Sequence, residues 1–197
     1  MSRKLAIFGS SGHAKDISLV FNQDNRDGVV HFIEPSNEAQ TVEELSQDGF
    51  NFIVGVGDNR VRKKIADRYI SLRWSNVISR NSQISNDAKL GLGIFIGFGV
   101  FVSSNVIICD HAIIHCNSVI GHEAVIESFA QVAPGVCIGG NGVNLKEGSF
   151  VGANATILNK AITVGEWSKI SLASVVTETV PPEVLYQTIH KKIVIGT

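Results

Sequence analysis

From Ile78 onward an aliphatic residue falls at every sixth position: Ile78, Ile84, Leu90, Ile96, Val102, Ile108, Ile114, Ile120, Ile126, Val132 and Ile138. A helix repeats every 3.6 residues and a strand every two, so a sustained period of six belongs to neither. The register slips by one residue at "GGNGVN" and resumes as Leu145, Val151 and Ile157. It slips again at "LNKAIT" and resumes as Val164, Ile170 and Val176. This pattern predicts a parallel β-solenoid of hexapeptide rungs, each supplying one short strand with its aliphatic turned to the axis. Glycine often follows the rung residue, as at Gly97, Gly121 and Gly152, where the chain must turn. A β-sandwich is the alternative, but its strands vary in length and would not hold one phase.

Residues before Ile78 have another rhythm. "KLAIFG", "GVVHFIE" and "FNFIVGVG" read as short buried strands, and "SSGHAKDISLVFN" reads as a helix after the first of them. "TVEE" has capping-box spacing, with Thr41 as cap and Glu44 three residues on. "DNRVRKKIADRY" reads as a helix capped by Asp58, with Val61, Ile65 and Tyr69 on one face. Alternating strands and helices predict a small parallel, Rossmann-like α/β sheet. The expected division is an α/β domain over 1–75 and a solenoid over 76–197, with the boundary near Arg73 to Val77.

The formal net charge is -1 and no Lys/Arg run stands out, so electrostatics does not support a nucleic-acid or membrane-surface role. No apolar stretch approaches the eighteen or so residues of a membrane span. The apolar run after Met1-Ser2-Arg3-Lys4 ends at Phe8, too short for a signal peptide. Cys109, Cys116 and Cys137 lack paired spacing and read as small core or turn residues in a reducing cytoplasm.

Four groups of residues carry chemistry. "GSSGH", Gly9 to His13, joins the first strand to a helix, where backbone N–H groups and a helix N-terminus suit a phosphate. A bare GxxG also describes a plain tight turn. Glu34 ends the second strand, where an acid meets a ribose or base, and Gly57 ends the third close to the same crevice. His111, His115 and His122 lie near one another in sequence and open a zinc reading, although their spacing is not diagnostic of a metal. His122 stands off the rung position beside Glu123, which suits a neutral base whose tautomer an acid orients. Cys116 is the nearby nucleophile candidate.

"GSSGHAK", "GVGDNRVRKKI", the hexapeptide array and "IGHEAVIESFAQVAPGV" together resemble the PglD/NeuD-type sugar acyltransferases over essentially the whole chain. The resemblance implies a left-handed β-helix, a homotrimer with active sites between subunits, acetyl-CoA as donor and no metal. It implies a nucleotide-linked amino sugar as acceptor, in the biosynthesis of surface glycans. His122 is then the base and Glu123 its partner. Ser11, Gly12, His13, Glu34, Pro35, Gly57 and His115 fall at the sugar-nucleotide site, and Gln131, Ala153 and Ala173 along the thioester and pantetheine.

The chain departs from that pattern at four places. Gln131 stands where many relatives carry histidine, and His115 where some carry asparagine. The second-strand acidic pair is Glu34-Pro35. "YQTIHKK", Tyr186 to Lys192, replaces the closing "GVPAK"-like segment, with Lys191 and Lys192 as candidates for the CoA phosphates. O-acetylation of a sialic acid or polysaccharide sugar is the alternative reaction, and a non-catalytic or zinc-binding solenoid the alternative class.

Overall fold

The structure is a computed structural model, and it describes residues 3–24, 27–158 and 160–188. The chain begins with β1 (Lys4–Phe8), α1 (Gly12–Asp24), β2 (Val29–Ile33), α2 (Glu38–Gln47), β3 (Asn51–Val54) and α3 (Asn59–Arg68). The three strands form a parallel sheet in the order β2-β1-β3. Both faces are covered, which is why β1 reads as an unbroken apolar run rather than an alternation. Leu5 and Ile7 meet Ala14, Ile17 and Val20 of α1 on one side. Ala6 and Phe8 meet Val42 and Leu45 of α2 on the other.

Two local expectations need correction. Thr41 lies inside α2 and does not cap it; the helix begins at Glu38, after a single 3-10 turn, Pro35–Asn37. Proline's fixed φ starts the helical turn early and overrides the capping-box spacing. The side chain of Asp58 does cap α3, accepting from Val61 N–H at 2.9 Å. Ile65 of that helix and Tyr69 at its C-cap pack against the Phe8 cluster as expected, but Val61 is 42% exposed and the buried residues are Arg62 and Ala66.

From Val77 the chain winds as a parallel β-helix. Each strand is two residues long and its second residue is the rung aliphatic, as in Phe95–Ile96, Ile113–Ile114 and Val119–Ile120. Successive coils stack in register, Ile96 on Ile114 on Val132. Three sheets of seven, six and five strands make the faces of a triangular prism. We call them the first face (starting at Val77–Ile78), the second (Gln83–Ile84) and the third (Lys89–Leu90). The prism interior is filled by the rung aliphatics together with the small residues that precede them, such as Ala112, Ala124 and Ala130. A rung cannot bury its own apolar face, and Ile78, Ile84 and Leu90 of the first coil are only half-buried because no coil lies beneath them.

Both register slips fall on one edge, between the second and third faces: Ile138 to Leu145 and Ile157 to Val164. From Gly93 onward the corners that keep the six-residue step place one residue in left-handed backbone, among them Gly93, Asn105 and Asn117.

The α/β domain sits on the first face. Val77, Phe95 and Ile113 project outward there and join Leu5, Ile17 and Val20 in one cluster. Each such side chain contributes roughly 1.5–3 kcal/mol when taken from water, so the two halves are held as firmly as parts of one core. Among the described residues no helix is long and apolar enough to cross a membrane.

Candidate active site

At the carboxyl ends of β1, β2 and β3 the chain leaves a cavity of about 280 Å³, lined by Gly9, Pro35, Glu38, Val56, Lys64 and Arg68 among others. Gly9 has φ +90 and needs the freedom of glycine. Gly55 allows α1 to close on the sheet, because a Cβ there would sit 2.7 Å from Ile7 and 2.8 Å from Ala14. Ser11 is exposed and Gly12, which opens α1, has open space where a Cβ would project. Glu34 is exposed at the end of β2. Gly57 lines a different cavity, of about 260 Å³, between the start of α3 and the solenoid residues Phe150, Trp167 and Lys169. Of the predicted substrate residues, Pro35 therefore lines the first hollow and Gly57 the second.

His13 turns away from that opening. Its ring lies 5.2 Å from Phe95 and 5.2 Å from His115, edge-on to both. Both ring nitrogens are buried without a hydrogen-bond partner. Burial, then the neighbouring His115, then Arg62 push its pKa down to about 3, so the ring is neutral. Burial lowers His115 as well. Gln131 Nε2 stands 3.2 Å from His115 Nε2, a pairing that requires that ring nitrogen to be unprotonated. Thus residues more than a hundred positions apart meet beneath the glycine loop, on the first face.

His122 lies elsewhere. It occupies the edge between the second and third faces, the edge opposite the face that carries the α/β domain. Its side chain is 45% exposed, and its Nδ1 is 3.8 Å from Glu123 Oε2, too long for a hydrogen bond. Glu123 itself is in left-handed backbone, φ 60. The ring rests on Gly140 in the coil above, where a Cβ would stand 2.5 Å from Cδ2 and Nε2. That glycine belongs to the first register slip. The extra residue and the missing side chain together make the niche in which the imidazole sits.

The other candidates occupy further edges. Ala153 and Ala173 stack on the edge between the first and second faces, joined by Ala173 N–H donating to Ala153 O at 2.8 Å. Cys116 is on that same edge and is not paired with His122 in this chain. His111, His115 and His122 stand at three different corners of the prism, so a single chain cannot gather them around one ion. Among the described residues no three His, Cys, Asp or Glu side chains are grouped to hold a metal. His111 is packed between Trp74, 4.8 Å away and edge-on, and Phe129, stacked at 5.2 Å. Lys191 and Lys192 lie outside the described residues. Arg62 went unnoticed in the sequence because "RVRKK" reads as a solvated charged face; it is 1% exposed.

Three comparisons bear on this arrangement. Residues 4–69 match the family model described as the PglD N-terminal domain. No curated protein matches the sequence. Among solved structures, the chain is similar to the acetyltransferase domain of PglB from Neisseria gonorrhoeae FA1090, described in complex with acetyl coenzyme A. The identity there is 21%, over 95% of this chain and 97% of that one, with a TM-score of 0.88. It is similar to a perosamine N-acetyltransferase from Caulobacter crescentus, a variant described in complex with CoA and GDP-perosamine. That match has 22% identity over 94% of this chain and 93% of the other, with a TM-score of 0.87. WeeI from Acinetobacter baumannii AYE is 19% identical over 93% and 95%, with a TM-score of 0.83. At these identities the likeness establishes a shared fold, from the first strand of the α/β sheet through the solenoid.

Proposed function

We propose that this protein is an acetyl-CoA-dependent N-acetyltransferase acting on the amine of a nucleotide-linked amino sugar, with His122 as general base. One observation carries the assignment of the base. Of the three solenoid histidines, His111 and His115 are packed away and held neutral by burial, whereas His122 is half-exposed in a niche built by the coil above it. The whole-chain fold shared with a perosamine N-acetyltransferase supports the donor and the acceptor class.

In the proposed reaction the acceptor nitrogen attacks the thioester carbonyl carbon while His122 takes a proton from that nitrogen. The tetrahedral intermediate then collapses, the C–S bond breaks, and the imidazolium protonates the departing thiolate. The products are an amide and free CoA. A hydrogen-bond donor at the oxyanion is typically worth about 3 kcal/mol. Gln131 is the side-chain candidate for that role, yet it lies on the first face, 8% exposed.

A second copy resolves this separation. The acceptor crevice and Gln131 belong to the first face, and the Ala153–Ala173 track to its border with the second; His122 stands on the far border of the second. The outer row of the second face exposes Phe101, Val119 and Val175 at 40–44%. A ring of three prisms would cover that row and bring the His122 edge of each copy to the Ala153 edge of the next. We therefore assign the enzyme as a homotrimer with its sites between subunits.

The test incubates acetyl-CoA with a panel of amino-sugar nucleotides and follows free thiol. An acetylated product that survives mild hydroxylamine supports the amide; a hydroxylamine-labile product transfers the assignment to an ester, and silence across the panel ends the acetyltransferase reading. Gly140→Ala offers a finer check on the base. Its methyl displaces the His122 ring, and since a shift of about 1 Å can cost two powers of ten, kcat should fall about 10- to 100-fold. An unchanged kcat in a variant of unchanged melting temperature removes the niche from the mechanism.

A further inference from the structure

We propose that Arg62 is a positioning residue for the acceptor, which ties the Gly57 loop to the solenoid and sets a fixed positive charge behind the diphosphate of the nucleotide-linked sugar. The inference rests on the acceptor class given above and adds the residue that organises its site. Arg62 Nη1 donates to Val56 O at 3.0 Å and Gly57 O at 3.3 Å, both in the loop after β3. Nε donates to His111 O at 3.0 Å, and Nη2 to Phe129 O at 2.7 Å. Those two carbonyls belong to corners of successive coils. Nη2 also donates to Asn59 Oδ1 at 3.1 Å, and the Asn59 amide donates onward to Gly148 O and Ser149 O.

Every acceptor on this guanidinium is a neutral oxygen. Its charge is therefore solvated by protein dipoles but not cancelled by a hydrogen-bonded carboxylate, although Asp58 is close enough to favour it. Burying a cation costs several kcal/mol, which the hydrogen bonds to five protein oxygens offset. An apolar side chain of similar length would fill the space but leave those oxygens without a donor. The fork does something a hydrocarbon cannot: it holds four carbonyls from the loop and from two coils in one plane, so the Gly57 loop cannot move independently of the prism. Its field also reaches His13, in the first turn of α1 beside the glycine loop, and His115 packed against it, disfavouring protonation of both. An anion bound across the two loops gains from that field without a flexible surface cation having to be ordered.

The experiment titrates GDP, UDP and CoA into the full-length protein and its Arg62→Met and Arg62→Lys variants, alongside steady-state kinetics with the acceptor. In Arg62→Met the Kd of whichever nucleotide the wild type prefers, and the acceptor KM, should rise about ten-fold or more. CoA affinity should stay within about two-fold and kcat within about three-fold, since neither depends on the Gly57 loop. Arg62→Lys keeps the charge without the fork and should recover part of the loss. Equal nucleotide affinity in a folded Arg62→Met variant overturns the proposal, as does a parallel loss of nucleotide and CoA binding. If Arg62→Met does not fold, Arg62→Lys decides: weaker nucleotide with unchanged CoA supports the role, and unchanged nucleotide binding overturns it. A wild type that binds neither of these nucleotides, and neither dTDP nor CMP in the same titration, overturns the acceptor class itself, a result separable from one in which wild type and variant bind alike.

Discussion

His122→Ala should lower kcat by about two to four powers of ten, the usual contribution of a positioned general base, while leaving both ligands' affinities nearly unchanged. The ring is 45% exposed and rests on a glycine, so removing it opens no cavity in the core. The melting temperature should stay within a degree or two, as for a surface substitution. The loss should shrink as pH rises, because an acceptor amine already deprotonated needs less help from a base. The location of His122 adds a sharper consequence. Gly12→Glu would block the glycine loop of the proposed acceptor site, where space is open in this chain. Alone, His122→Ala should retain only its residual kcat and Gly12→Glu should turn over no faster. If sites lie between copies, mixed assemblies of the two variants contain some sites with both halves intact, and activity returns to a fraction of wild type. A mixture as inactive as its parents, with subunit exchange demonstrated, would place base and acceptor site in one chain and sink the three-copy assignment.

Acid should destabilise this protein well before its carboxylates titrate. His13 and His111 are held neutral by burial, with pKa values pushed down to about 3 and about 4. In the unfolded chain both return to about 6.5. Between those values the unfolded state binds more protons, so stability is full above about pH 6.5 and is lost as pH falls toward 4 and then 3. At about 1.4 kcal/mol per unit, each histidine accounts for roughly 3–5 kcal/mol, a large part of the 5–15 kcal/mol that stabilises a typical domain.

The loss should appear first at the seam between the halves. His13 packs between α1 and the first face, and His111 between Trp74 of the connection and Phe129 of the solenoid. The solenoid interior is aliphatic and has no such dependence. We expect the fluorescence of Trp74, isolated by Trp167→Phe, to change between about pH 6 and 4 before the strand signal in circular dichroism does. His13→Phe/His111→Phe keeps the ring packing without the titration and should move that transition down by about one pH unit or more. Coincident transitions, or a double variant that unfolds at the wild-type pH, would refute the assignment.

The parts legible in the sequence are those that repeat or close locally. The rung aliphatics from Ile78 to Val176 all occupy second positions of two-residue strands, because stacking in register imposes one inward residue per face. Asp58 caps its helix through a contact three residues away. Thr41 misled for the same local reason: the spacing was right, but Pro35 started the helical turn earlier. The slips at "GGNGVN" and "LNKAIT" could be read as shifts of register. That they share an edge, and that the first lies over His122, depends on which coil stacks on which.

The sequence alone therefore determined the architecture, the order of its halves and the candidacy of His122, since each rests on periodicity or on short-range hydrogen bonds that a linear pattern records. Only the tertiary structure decided that His13, His115 and Gln131 meet, that Arg62 is buried, and that the α/β domain with its glycine loop and His122 stand on opposite sides of the prism. These are contacts between distant positions. They are set by how the α/β domain docks on one of three nearly equivalent faces, a choice made by the summed burial of Val77, Phe95 and Ile113 and by no local signal.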